Sequence, residues 1–125
     1  AHPGKKLVFM GTEFSQFIEW DYEKELDWLL LKYPQHQKQQ QFFRDLNHFY
    51  LDTPALWQVD FSWEGFSWIS NDDYTQSVIA FRRIDKEGGE VLAVCNFLPV
   101  RRDNYSVGVP AAGIYAEIFS SDREE

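Results

Sequence analysis

The chain has 125 residues, long enough for one domain with a sizeable core, and its composition, 44% hydrophobic and 18% aromatic, excludes a disordered or fibrous protein. Twenty acidic against twelve basic side chains give a net charge of -8, and the basic residues are scattered in pairs such as Lys5-Lys6, Arg82-Arg83 and Arg101-Arg102. A nucleic-acid groove or an anionic membrane surface needs a basic patch and is excluded, whereas a neutral ligand is not.

The first predicted element is Leu7-Val8-Phe9-Met10, an apolar run without alternation that reads as a parallel strand buried on both faces and stopped by Gly11. Residues 11–28 follow as a long loop in which six acids (Glu13, Glu19, Asp21, Glu23, Glu25, Asp27) meet one Lys24 and five rings (Phe14, Phe17, Trp20, Tyr22, Trp28). Disordered loops are poor in rings, so this one reads as ordered and functional, with a short helical turn over residues 28–31 capped by Asp27.

Pro34 suits the first turn of a helix, and Phe42, Phe43, Leu46, Phe49 and Tyr50 lie on one helical face, predicting a helix that ends near Leu51, ahead of Pro54. Its glutamine-rich first half, residues 35–41, carries no apolar stripe and is expected to face water. Beyond Trp57 the pattern changes to short β-type runs at residues 66–69, 77–84, 91–97, 105–109 and 114–119. Asp85-Lys86-Glu87-Gly88-Gly89 reads as a hairpin turn, with Val91, Ala93, Cys95 and Phe97 on one face of the strand behind it.

Cys95 is the single cysteine, which excludes an intramolecular disulfide and a thiolate metal cluster, and its surroundings predict a small buried hydrophobe. His2, His36 and His48 lack zinc-site spacing, and no nucleophile-elbow motif organises Ser, His and Asp. Neither a metal nor a cofactor is expected. No stretch approaches the roughly 20 apolar residues of a membrane span, and Ala1-His2-Pro3-Gly4 is no signal peptide.

Two sets of residues carry a candidate ligand chemistry. Glu13, Gln16, Glu19, Trp20 and Asp21 combine flat rings with carboxylate and amide acceptors, the mixture that binds the C–H faces and hydroxyls of a sugar. The alternative is that the acids pair with basic groups and the rings pack. Trp57, Trp63 and Trp68, with Phe61 and Phe66, form the second set: exposed they would be a stacking platform, buried a core. Burial is expected for Trp57 and Trp63 and left open for Trp68, the residue singled out for stacking. Arg82-Arg83 and Arg101-Arg102 read as solvated strand ends, the alternative being a phosphate or acidic partner.

The run Pro3-Gly4-Lys5-Lys6-Leu7-Val8-Phe9-Met10-Gly11-x-Glu13-Phe14-x-Gln16-x-x-Glu19-Trp20 resembles the eighth strand and following loop of the bacterial 1,4-alpha-glucan (glycogen) branching enzymes, members of the alpha-amylase family. Val59-Asp60-Phe61, Gly65-Phe66-x-Trp68, Asp72-Asp73, Ser77-Val78 and Cys95-Asn96-Phe97-x-Pro99-Val100 follow in the family's order. The resemblance implies an α+β chain: residues 1–58 as the last β/α unit of a (β/α)8 barrel, and residues 59–125 as the start of a truncated antiparallel β-sandwich domain. It implies a cytoplasmic parent that transfers an α-1,4-glucan segment to a 6-hydroxyl in glycogen biosynthesis, and the loop would line its glucan groove.

The family's three catalytic carboxylates lie on earlier barrel strands, so no catalytic residue is expected in this chain, which by itself would be inactive. Both of its ends look cut. Substrate contacts would come from Glu13, Gln16, Glu19, Trp20, Asp21 and Trp68. The other reading is a noncatalytic glucan-binding or scaffolding module of an alpha-amylase-type glycoside hydrolase. The expected partners are an α-glucan such as glycogen or a maltooligosaccharide, and the parent's barrel. Leaving Leu7 to Met10 solvated forgoes about 2 kcal/mol per side chain, roughly 8 kcal/mol in all, so self-association through that segment is a further expectation.

Overall fold

The computed structural model describes residues 4–122. The described chain divides into two units. One is Lys6–Asp52 with the described residues from Phe119 onward, and the other is Thr53–Ile118 with the described residues up to Lys5.

The first unit is built on one helix, α1 (Pro34–Asp52). Proline at its first position loses no hydrogen bond there, because the first N–H groups of a helix have no intrahelical partner. Gln41 Nε2 donates to Asp45 Oδ1 one turn on, at 2.8 Å. Thr53 is extended, as the residue before Pro54 must be, and the helix ends there. The apolar face anticipated from the sequence receives Phe119, whose ring stacks on Phe49 at 5.1 Å and tilts against Phe42 at 5.8 Å.

The glutamine-rich half departs from expectation at one residue: His36 is buried. It lies seven residues before Phe43 and so extends the apolar face by two turns. Its Nδ1 donates to the Phe14 carbonyl at 2.7 Å, since that oxygen can only accept.

The second unit holds three strands, β1 (Phe66–Asp73), β2 (Val78–Ile84) and β3 (Glu90–Asn96), in one antiparallel sheet of order β1-β2-β3. The β2–β3 hairpin runs in unbroken register from Val78↔Asn96 to Ile84↔Glu90. Its turn is tied by Asp85, whose Oδ1 accepts the N–H groups of Glu87 at 2.9 Å and Gly89 at 2.7 Å. The β1–β2 pairing is interrupted by register shifts on either side of Ser70, which bend the free end of β1.

Alternation separates Arg82 from Arg83, and the expectation that both are solvated fails for the second. Arg82 pairs with Glu90 in a partly exposed cross-strand bridge of 3.1 Å. Arg83 is buried and pairs with the buried Asp60 at 2.5 Å. Its Nε also donates to the Gly65 carbonyl at 2.9 Å. That segment is tightly threaded: a Cβ at Gly65 would sit 1.9 Å from the Val59 carbonyl oxygen and 2.7 Å from Val59 Cβ. Gly65→Ala is therefore expected to force the 59–65 backbone apart and to lower stability by about 1–3 kcal/mol or more, read from urea unfolding.

Three predicted strands are absent among the described residues. Leu7 to Met10 form no strand, and all four are exposed, Leu7 to 88%. A parallel strand exists only through ladder partners on a neighbouring strand, and no described segment pairs with this one. Residues 105–109 and 114–119 run without regular structure for the same reason, with Gly108, Pro110 and Gly113 further weakening any ladder. Residues 97–118 are tied at a few points instead, locally as by Asn96 Nδ2 to the Val100 carbonyl at 2.8 Å and across the unit as by the Tyr105 hydroxyl to Asp73. The described fold is thus one helix and a three-stranded sheet, without a second sheet to complete a sandwich.

Candidate functional site

In the first unit the loop begins at Gly11, whose φ of 81° is a left-handed conformation that glycine adopts without strain. A Cβ there would also meet Gln16 Cβ at 2.9 Å. The turn closes when Gln16 N–H donates to the Gly11 carbonyl at 3.0 Å, and Thr12–Phe14 form a short 3-10 helix inside it. This drives Phe14 into the interior, where it is fully buried and stacks on Trp28 with ring centroids 5.3 Å apart.

The five sugar-binding candidates of this loop meet different fates. Gln16 spends its amide on the loop itself: Oε1 accepts from Asp27 N–H at 2.8 Å, and Nε2 donates to the Ile18 carbonyl at 3.1 Å. Asp21 accepts the Glu23 N–H at 3.0 Å and pairs with Lys24 at 3.1 Å. Those two donors, the backbone N–H first, hold its carboxyl below the usual range. Trp20 meets Phe9 edge-on at 5.6 Å and remains 38% exposed. Glu13 and Glu19 have no hydrogen-bond or ion-pair partner among the described residues, so their carboxylates stand available for a ligand.

Asp27 does precede a helical turn, the 3-10 helix Trp28–Lys32, but its side chain makes no capping bond; its N–H is taken by Gln16. Ring density in the sequence pointed to an ordered loop. The polar staple at Gln16 and the His36–Phe14 tie carried no local signal, because both join residues far apart in the chain.

In the second unit Trp68 stands in register with Phe81 across the β1–β2 pair and meets Phe66 and Phe81 edge-on at 5.0 and 6.1 Å. It stays 45% exposed, a ring supported from the sheet and presented to solvent. Burial expected for the other two indoles does not occur: Trp63 is 88% and Trp57 40% exposed. The 3-10 turn Trp63–Gly65 puts Gly65, rather than Trp63, against Val59, which leaves the indole outside. Phe61 is exposed as well.

A polar cluster unforeseen in the sequence forms where the turn after β1 meets residues 101–106. The Tyr105 hydroxyl donates to Asp73 Oδ2 at 2.7 Å, and Gln76 Nε2 donates to the same oxygen at 2.9 Å. The Tyr105 bond is the main reason the Asp73 carboxyl is held low, and the same bond raises the Tyr105 phenol. A depressed carboxyl stabilises the fold above its ordinary value and loses that contribution as pH falls through the folded value. A raised phenol contributes below pH about 10 and loses it as pH rises through the folded value. In Tyr105→Phe, carboxyl NMR titration is accordingly expected to find Asp73 shifted back up toward its ordinary value.

Cys95 is half-buried, and burial pushes its thiol up, which disfavours the reactive thiolate. Among the described residues no group of three or more His, Cys, Asp and Glu side chains is gathered for a metal ion, and no helix is long and apolar enough to cross a membrane.

Residues 68–125, which hold β2, β3 and most of β1, match the family described as alpha amylase, C-terminal all-beta domain. Over its whole length the chain is homologous to a segment of the 1,4-alpha-glucan branching enzymes GlgB. It is 54% identical to the enzyme of Aquifex aeolicus over 126 aligned residues, covering 100% of this chain and 20% of that protein. The enzyme of Halothermothrix orenii is 51% identical, with the same 100% and 20% coverage, and that of Nitrosococcus oceani 52% identical over 98% of this chain and 16% of the protein. The chain thus spans about a fifth of the length of these curated relatives.

Proposed function

We propose that the chain functions as part of a cytoplasmic 1,4-alpha-glucan branching enzyme of glycogen biosynthesis, a glycosyltransferase that moves an α-1,4-glucan segment onto a 6-hydroxyl. The observation that carries the reading is identity near 50% to such enzymes along the entire chain. Residues 1–58 are assigned to the last β/α unit of the (β/α)8 barrel and residues 59–125 to the opening of the C-terminal β domain. The chain supplies no catalytic carboxylate and no turnover by itself.

Its contribution is contact with the glucan through Glu13, Gln16, Glu19, Trp20, Asp21 and Trp68. Free carboxylates at Glu13 and Glu19 and half-exposed rings at Trp20 and Trp68 support that role. Gln16 and Asp21 act there mainly by holding the loop. The exposed Leu7 to Met10 segment supports a partner as well: the parent's barrel in the complete enzyme, a second copy in isolation.

A second reading, a noncatalytic glucan-binding or scaffolding module of an alpha-amylase-type hydrolase, is favoured by one observation, the exposure of Trp68 and Trp63 on the β unit. Titration with maltoheptaose, following the tryptophan indole signals by NMR, tests both. Saturable shifts at Trp20 and Trp68, with Trp68→Ala removing the second, are expected. Indoles that stay still at millimolar sugar would count against any glucan contact by this chain alone, and shifts restricted to Trp68 would favour the binding module.

A further inference from the structure

The turn after β1 and residues 101–106 line an open cavity of about 560 Å³ in the β unit. Its carboxylates are already matched. Asp73 accepts from Tyr105, Gln76 and Thr75, and Asp103 pairs with Arg101 at 2.7 Å. The Arg102 guanidinium, by contrast, has no carboxylate partner among the described residues. Its one hydrogen bond is a long one, from Nη2 to the Gln76 carbonyl at 3.3 Å. Its Nε–H is closed off from solvent with no acceptor at all, a rare condition for a buried donor and one that calls for a missing partner.

We propose that this cavity is a binding site for a small oxyanion, a phosphate monoester or a carboxylate, with Arg102 as its principal ligand. The planar fork of arginine presents Nε and one Nη in parallel, which matches two oxygens of either group. The Nη2 bond to the Gln76 carbonyl, at 3.3 Å, is long and readily exchanged for a stronger acceptor. Asn104 and Ser106, both lining the cavity, offer an amide and a hydroxyl donor to the remaining oxygens. The two guanidiniums of the lining, Arg101 and Arg102, balance the ionised carboxylates of Asp73 and Asp103, so the cavity wall has no net charge although the chain as a whole is negative. The site stands apart from the glucan reading and does not depend on it.

The test is titration of the whole chain with inorganic phosphate, and separately with sodium acetate, at constant ionic strength, following the arginine Nε–H and backbone amide signals. Saturable shifts centred on Arg102, Asn104 and Tyr105 are expected. They should vanish in Arg102→Gln and weaken on the order of tenfold in Arg102→Lys, which keeps the charge without the fork. Unchanged strand amides in Arg102→Lys would show that the fold is intact. Tighter binding of phosphate assigns a phosphate monoester, and equal or tighter binding of acetate a carboxylate. Three results would overturn the proposal: no movement with either anion, shifts of undiminished affinity in Arg102→Gln, or movement of the same signals by maltose and by neither anion.

Discussion

Asp60→Ala is expected to destabilise the β unit by about 3–5 kcal/mol. Arg83 and Asp60 are 3% and 5% exposed. Without the carboxylate, the Arg83 guanidinium stays in the interior with only backbone carbonyls, Gly65 at 2.9 Å and Val59 at 3.4 Å, to face it. Neutral acceptors of that kind do not replace a 2.5 Å ionic bond. Arg83→Met removes the same bond from the other side and strands a buried carboxylate, so a loss of similar size is expected. Joining the two changes, as Asp60→Leu with Arg83→Met, should recover most of that loss, because apolar pairs of similar volume replace buried ion pairs at little net cost. Urea unfolding of the wild type, Asp60→Leu, Arg83→Met and the double variant forms a double-mutant cycle, and a coupling near zero would mean that the pair contributes nothing beyond packing.

Phe14→Ala should cost about 3–5 kcal/mol in the helical unit. Among the described residues Phe14 is the largest side chain buried completely, and its ring supports Trp28 while its carbonyl receives the His36 imidazole. Truncation opens a cavity beneath a loop that otherwise depends on a few backbone bonds and the Gln16 amide. Hydrogen exchange is the informative measurement: residues 12–33 should lose protection while β2 and β3 keep theirs. Phe14→Leu, which retains most of the volume, should do clearly less. Full protection of residues 12–33 in Phe14→Ala would place the anchoring of the loop elsewhere.

Helix α1 and the β2–β3 hairpin were legible because their determinants lie within a few residues of one another. Phe42 to Tyr50 repeat at the helical period, Pro34 and Pro54 bracket the run, and the Asp85 carboxylate ties a turn that ends in glycine. The resemblance to branching enzymes was equally a property of the sequence, since it rests on residue identity along the chain. The candidate sugar-binding side chains were recognisable by type, but their availability was not. Gln16 and Asp21 find partners inside the loop, whereas Glu13 and Glu19 do not, and that division depends on how the turn at Gly11 closes.

The remaining features rest on pairing between distant segments. Leu7 to Met10 have the composition of a buried strand, yet a strand exists only where another offers it a ladder. Arg82 and Arg83 are identical neighbours, and the pleat sends one to Glu90 at the surface and the other to Asp60 in the interior. Arg102 differs from Arg101 in the same way: one meets an acid two residues on, the other a carbonyl 26 residues back along the chain. By itself the sequence determined the kinship, the helix and the hairpin, because short-range periodicity and residue identity suffice for these. Tertiary structure alone decided which charges are buried, which indoles are exposed and which guanidinium lacks a partner, because a side chain's solvation depends on segments that only folding brings beside it.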